Sequence, residues 1–203
     1  MAVKYIHCSG EQVKPYIQDL AHLRVEVFRE FPYLYDGNFE YEKKYLDTYL
    51  NSSNSLVILA LANNTVIGAT TCLPLVDETE VFKQVFLEKG LDINKIFYFG
   101  ESVILKEFRG RGIGSQFFQF REDHAKKTIP GLKLTAFCAV DRPPDHPLRP
   151  QGYRPLVHFW KKLGYSEKPH MKVWLPWKDI DKITEDKKSL TFWLKSWPQS
   201  NQL

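Results

Sequence analysis

Apolar positions along the chain change their period several times, and each period predicts an element. Val3 to Cys8 reads as a short strand, and a helix from about Pro15 places Leu20, Leu23, Val27 and Phe31 on one face. Proline suits a first helical turn, where its missing N–H has no intrahelical partner to lose, and Pro32 stops the pattern. A second, acidic helix from about Asn38 to Leu50 carries Tyr41, Tyr45 and Tyr49 four residues apart, the spacing of a packing stripe. After the polar break Asn51 to Ser55, two β-rich runs, Leu56 to Ala62 and Thr65 to Leu73, flank Asn63-Asn64. Asparagine tolerates positive φ, so a tight hairpin is expected there.

Pro74 ends that second run, and Asp77 to Lys89 reads as a charged helix with Val81, Val85 and Phe86 inward. Ile96 to Leu105, dense in aromatic and β-branched residues, predicts a further strand. A glycine-rich turn, Arg109 to Gly114, leads into a helix to about Lys127 with Ile113, Phe117 and Phe120 on one face, and Leu132 to Val140 predicts the next strand. Strand, helix, strand in this order is a βαβ unit, which implies parallel pairing within a mixed α/β sheet. Five prolines between Pro143 and Pro155 exclude a helix or central strand. A short helix, Arg154 to Leu163, and two aromatic strands, Met171 to Lys178 and Ser189 to Trp197, complete the chain.

Composition narrows the function class. With 203 residues, 43% hydrophobic and 26% charged, the chain falls in the globular range and has the length of one domain over 1–203. Its longest unbroken apolar run, Leu56 to Ala62, is far short of the roughly 18 residues a membrane span needs. Met1-Ala2-Val3-Lys4 lacks the pattern of an export signal. Cys8, Cys72 and Cys138 lie far apart without a C-x-x-C pair, which suggests neither a disulfide framework nor a zinc site and fits a reducing cytoplasm. A net charge of +4 is too small to imply bulk nucleic-acid binding.

The glycine turn carries the candidate chemistry. Gly110, Gly112 and Gly114 stand between a strand and a helix, where free backbone N–H groups and the helix dipole favour an anion. Spacing excludes two common phosphate loops. The dinucleotide fingerprint G-x-G-x-x-G needs glycine where Ser115 stands, and the mononucleotide loop needs a Gly-Lys pair, which the chain lacks.

Arg109, Gly112 and Gly114, following the strand Ser102-Val103-Ile104-Leu105, instead match R/Q-x-x-G-x-G/A, and Phe159-Trp160-Lys161-Lys162-Leu163-Gly164-Tyr165 resembles a later F-Y-x-K-x-G-F helix end. With these motifs and the element order, the chain resembles the GNAT superfamily of acetyl-CoA-dependent N-acetyltransferases. The resemblance implies an α/β (α+β) fold: a mixed, mostly antiparallel central sheet flanked by helices, with a βαβ acetyl-CoA-binding core over about 96–140. It implies acetyl-CoA as co-substrate, no metal, and direct attack by an amine acceptor, a small molecule or a peptide, while both substrates are bound. The protein is expected to be a monomer or homodimer without nucleic-acid or membrane partners.

By the same resemblance, Ser102, Val103, Ile104, Arg109, Gly110, Arg111, Gly112, Ile113, Gly114 and Ser115 contact CoA. The N–H groups from Arg111 to Ser115 hold the pyrophosphate, and the N–H of Ser102 or Val103 polarises the thioester carbonyl. An amine of pKa about 10.4 must lose a proton before attack, so a base is expected. Glu101, in an apolar strand beside the carbonyl-binding position, is the first candidate, with Arg24 or Arg29 as partners if it is structural; Tyr98 is the second. Trp160 stands where the family carries a tyrosine that protonates the leaving thiolate, which leaves Tyr153, Tyr165 or His158, or an unassisted thiolate. Arg142, Arg149 and Arg154 in the proline-rich segment either bind an anionic group on the acceptor or pair with Asp141 and Asp145. A catalytically silent acyl-CoA-binding module is the alternative function on the same scaffold.

Overall fold

The fold is described here from a computed structural model, over residues 2–198. Its sheet grows from the Asn63-Asn64 turn, whose φ values of 49° and 64° are both left-handed, as a two-residue hairpin requires. That turn joins β2 (Leu56–Ala62) to β3 (Thr65–Pro74) in antiparallel register. β1 (Lys4–Cys8) adds to the free side of β2, and β4 (Ile96–Ile104) runs antiparallel beside β3. β5 (Leu134–Val140) lies parallel to β4, and β7 (Asp186–Ser196) and β6 (Ser166–Trp177) close the order β1-β2-β3-β4-β5-β7-β6. One parallel pair in an otherwise antiparallel seven-stranded sheet is the mixed architecture expected from the βαβ unit.

Strand alternation divides the core between two faces. Val57, Leu59, Tyr98 and Phe192 pack under α1 (Ile17–Phe28), α2 (Phe39–Asn51) and α3 (Glu80–Leu87), which contribute Leu20, Leu46, Tyr49 and Phe86. Ile58, Phe97, Phe99 and Phe137 face the other way, toward α4 (Ile113–Thr128) and α5 (Val157–Lys162), against Phe117, Phe118 and Tyr165.

Several boundaries and faces differ from the pattern. Pro15 lies in a 3₁₀ stretch, Gly10–Tyr16, ahead of α1, and Phe31 lies beyond the end of α1. α3 buries Phe82 and Phe86 while Val81 is 44% exposed, because the wider aromatic pair at i, i+4 claims the sheet side. Tyr49 is fully buried but Tyr41 is 60% exposed, so the tyrosine stripe packs only at its C-terminal end. β6 and β7 run longer than their aromatic segments, since each supplies the other's backbone partners from Ser166↔Leu194 to Trp177↔Asp186.

Arg142 corrects a pairing expected from the sequence. Its guanidinium donates to the carbonyls of Pro32 (2.7 Å) and Tyr33 (2.6 Å) and to both oxygens of Asp179 (2.7 and 2.8 Å), neither Asp141 nor Asp145 being its partner. Asp141 bonds instead to Lys172, Ser189 and Thr191. The start of the proline-rich segment is thereby clamped to the chain after α1 and to the end of β6.

β4 and β5 pair only at Ile96↔Leu134, Phe97↔Thr135 and Tyr98↔Ala136, although both strands continue. The parting begins beside Gly100, where the β3–β4 register is also irregular. A Cβ at Gly100 would overlap the Tyr49 hydroxyl and come within 2.5 Å of Thr71 Oγ1, so the close approach of α2 requires glycine there.

Two predictions follow from this packing. Gly100→Ala should lower stability by about 1–3 kcal/mol through overpacking, read from urea midpoints; an unchanged midpoint would show that Tyr49 yields freely. Arg142→Met leaves Asp179 buried and should cost about 3–5 kcal/mol at pH 7. Burial by itself raises the Asp179 carboxyl, but the bonds and charge of Arg142, with Lys188, overrule it and hold it below the usual carboxylate range. A depressed folded pKa stabilises above the unfolded value, about 3.9, and that contribution is lost as pH falls through the folded value. The stability gap between wild type and variant should therefore narrow below about pH 4, and equal gaps at pH 7 and pH 3 would contradict the assignment.

Candidate active site

Where β4 and β5 part, the sheet opens into a cleft of about 1780 Å³ that is lined from both faces. Arg24, Tyr33, Glu42, Tyr45 and Glu101 line it on the α1–α2 side, and Phe118, Arg121, Phe137 and Trp160 on the α4–α5 side. A ligand on one face can thus meet a ligand on the other through the plane of the sheet.

The β4 backbone forms one wall. Glu101 N–H donates to Thr71 Oγ1 (3.2 Å) and Leu105 N–H to the Ile67 carbonyl (2.9 Å), so the odd-numbered amides face β3. Strand alternation then turns the amides of Ser102 and Ile104 toward the gap and that of Val103 toward β3. Ser102 is exposed, its Oγ 2.7 Å from Thr70 Oγ1.

The glycine turn follows β4. Gly110 and Gly112 have φ of 75° and 83°, which only glycine adopts without strain, and a Cβ on either would meet nothing within 4 Å. Gly112 is the N-cap of α4 and no side chain caps the helix, which leaves the N–H groups of Ile113, Gly114 and Ser115 without intrahelical acceptors. This open backbone at a sixteen-residue helix fits a phosphate group. Arg109 serves the turn structurally: Nε donates to the Ile104 carbonyl (2.8 Å) and Nη1 and Nη2 grip the Glu30 carboxylate (2.8 and 2.9 Å). Arg111 donates to the Glu107 carbonyl and remains exposed beside the turn, its charge unpaired among the described residues.

Glu101 is 6% exposed and lies 2.7 Å from Arg24 Nη1. Arg24 also binds Glu42 through Nε and stacks its guanidinium 4.1 Å from the Tyr45 ring centroid. One buried cation thus serves two buried carboxylates, and Oε1 of each carboxylate has no partner. With both ionised the cluster carries a net charge of −1. Tyr98, the second candidate base, is buried with its hydroxyl 3.2 Å from Cys138 Sγ. Burial pushes the Tyr98 phenol well above its ordinary value and the Cys138 thiol up to about 12, so both are neutral near pH 7.

Tyr153 is half-buried in the cleft wall, edge-on to Phe31 at 4.7 Å, and burial raises its pKa. Trp160 packs against Phe137 and Trp193 and faces the cleft. Tyr165 is a core residue whose hydroxyl bonds Thr135 (2.9 Å) and Glu122 (3.1 Å), and His158 is exposed on α5. Arg149 lines the cleft with its guanidinium near Tyr153, whereas Arg154 is exposed outside the cleft wall.

Glu101, Tyr98, Ser102, Arg149 and Tyr153 therefore share one cleft, with the glycine turn at the end of β4 beyond it. Sequence reasoning missed Glu42 and Arg121. Each reads as a surface charge on an amphipathic helix, and the one available signal is that both fall on the apolar side of their helices. Among the described residues no group of three His, Cys, Asp or Glu could hold a metal ion, and no helix is long and apolar enough to cross a membrane.

Comparison with solved structures gives the same architecture. The chain superposes on yncA from Salmonella typhimurium, a structure with its cofactor acetyl-CoA, at TM-score 0.61 and 10% identity, covering 100% of this chain and 98% of that one. A ribosomal-protein-alanine N-acetyltransferase from Brucella melitensis gives 0.61 at 12% identity, over 97% and 100%. The PaiA N-acetyltransferase from Thermoplasma acidophilum in complex with coenzyme A gives 0.52 at 13%, over 97% and 100%. These likenesses are of fold. A search of curated proteins returned no match. Residues 18–165, from the start of α1 through the glycine turn to Tyr165, match the model of the acetyltransferase (GNAT) family, and the chain belongs to that family.

Proposed function

We propose that the protein is an N-acetyltransferase that moves an acetyl group from acetyl-CoA to a primary amine by direct attack across the parted strands. The observation that carries this reading is the gap itself: an unpaired β4 edge with inward amides, beside a buried carboxylate with a free oxygen. The co-substrate supplies an activated thioester carbonyl, and the structures of yncA and PaiA with acetyl-CoA and CoA support that choice. Its pyrophosphate is held by the N–H groups of Ile113, Gly114 and Ser115, with Arg111 adding charge.

The chain's own residues then do the following. The Ser102 amide, facing the gap, donates to the carbonyl oxygen as negative charge develops there, a contribution worth roughly 3–4 kcal/mol per donor in other enzymes. An amine of pKa about 10.4 needs about 4.6 kcal/mol to lose its proton at pH 7, and Glu101 Oε1 accepts a hydrogen bond from the entering ammonium and relays that proton, directly or through water, toward solvent. The net negative Arg24–Glu42–Glu101 cluster attracts that ammonium to the α1–α2 mouth. As the C–N bond forms the C–S bond breaks. A thiol of pKa about 8.5 leaves as thiolate without an acid, the second amine proton is lost as the amide forms, and one proton returns to the thiolate from solvent, since burial makes Tyr153 a weaker acid than the thiol. Trp160 takes no part in proton transfer, because its indole N–H is not an acid at this pH. Three free cysteines accord with a cytoplasmic location.

Two measurements test the reading. Gly112→Asp places a carboxylate at the anion site and should weaken CoA binding at least tenfold by calorimetry, so unaltered affinity would remove the site. Glu101→Gln keeps the shape and should lower kcat by about 10² with CoA affinity preserved and the pH-rate profile altered. Wild-type kcat and profile would remove Glu101 from the chemistry, and failure of wild type to turn over any amine while binding CoA would favour a silent acyl-CoA-binding module.

A further inference from the structure

Arg121 is a deeply buried charge in the cleft wall that the proposed transfer does not use. It is 2% exposed, on the sheet-facing side of α4, with its guanidinium 4.4 Å from the ring centroids of both Phe99 and Phe118. Nε has no hydrogen-bond partner, and among the described residues no carboxylate lies within ion-pair distance. The acids nearby are committed elsewhere: Glu122 accepts from Lys195 (2.9 Å to each oxygen) and from Tyr165, and Glu101 belongs to Arg24. A guanidinium out of water without a carboxylate at bonding distance is costly to keep unless something anionic completes it. The cleft reaches it, since Arg121 lines the wall together with Phe118 and Phe137.

Its position along the cleft says what would arrive there. Phe99 directly follows Tyr98, the last β4 residue bonded to β5, so Arg121 stands at the vertex of the opening. The glycine turn is at the other end, nine residues up α4, about 13 Å at 1.5 Å per residue. A thioester ligand anchored by its phosphates at that turn and laid down the β4 edge points its acyl end toward Arg121.

We propose that Arg121 receives a carboxylate at the far end of the acyl group, so that the cleft takes CoA half-thioesters of short dicarboxylic acids as donors beyond acetyl-CoA. This rests on the donor site proposed above. The transfer is the same step: the amine nitrogen bonds to the thioester carbon, CoA leaves as thiolate, and the amide product keeps its free carboxylate. No further reactant is needed.

The test compares succinyl-CoA with butyryl-CoA, which has the same number of acyl carbons and no charge, by calorimetry on the intact protein, with CoA alone as reference. Wild type should bind succinyl-CoA at least about tenfold more tightly than butyryl-CoA, as a charge-assisted guanidinium–carboxylate pair requires. Arg121→Met should abolish or invert that preference while binding CoA as wild type does, and Arg121→Lys should retain part of it. Equal or weaker binding of succinyl-CoA by wild type overturns the proposal whether or not the Met variant folds. A merely structural Arg121 would lower thermal stability in the Met variant and leave the donor ratio unmoved. Failure of CoA itself to bind would instead remove the donor site, and this proposal with it.

Discussion

Three bonded residue pairs between two parallel strands, followed by a gap, set the terms for everything else in this molecule. A sheet interior is normally closed by its own hydrogen bonds, and unpaired amides there are costly. Here the parting of β4 and β5 after Tyr98↔Ala136 leaves such amides facing a cleft that a ligand can enter. Tyr49 from α2 occupies the space beside Gly100 at the point of parting, so one helix and one missing side chain help to fix where the opening starts.

Buried charge is distributed about that gap in a way that gives its two sides opposite character. On the α1–α2 side one arginine is shared by two carboxylates, each with an oxygen that has no partner. On the α4 side a single arginine has no carboxylate at ion-pair distance among the described residues, and its Nε has no hydrogen-bond partner. Neither arrangement is what stability alone favours, since an unbalanced buried charge costs more than an apolar residue of the same size. Both fit the proposed substrates, which would bring the missing charges: a cation to one mouth, an anion to the other.

Around this polar centre, well-matched pairs hold the walls. Arg142 with Asp179 fastens the proline-rich segment, and Arg109 with Glu30 ties the glycine turn to the residues after α1. The motif arginine is thus spent on holding the turn's shape, and the anion-binding capacity of that turn comes from backbone N–H groups at Gly112 and the first turn of α4. Rigid walls suit the proposed direct transfer, in which two substrates must be held within reach of each other and no covalent intermediate stores the acyl group.

The Asn63-Asn64 hairpin, the βαβ unit, the glycine turn and the family were all legible in the sequence, because turn chemistry and short-range periodicity are local properties. Glu101 was legible as an odd carboxylate in an apolar strand. Sequence named Arg24 or Arg29 for Glu101, and Arg24 is the one that pairs, but it did not otherwise say which charges meet. Arg24 with Glu42 and Glu101, Arg142 with Asp179 and Arg109 with Glu30 join positions 18, 77, 37 and 79 residues apart, and only the packing of helices on the sheet decides such pairs. The same holds for the face of α3, the exposed Tyr41 and the isolated Arg121. A helical wheel tells which residues share a side, but the depth of that side, and whether a partner waits there, is set by tertiary structure.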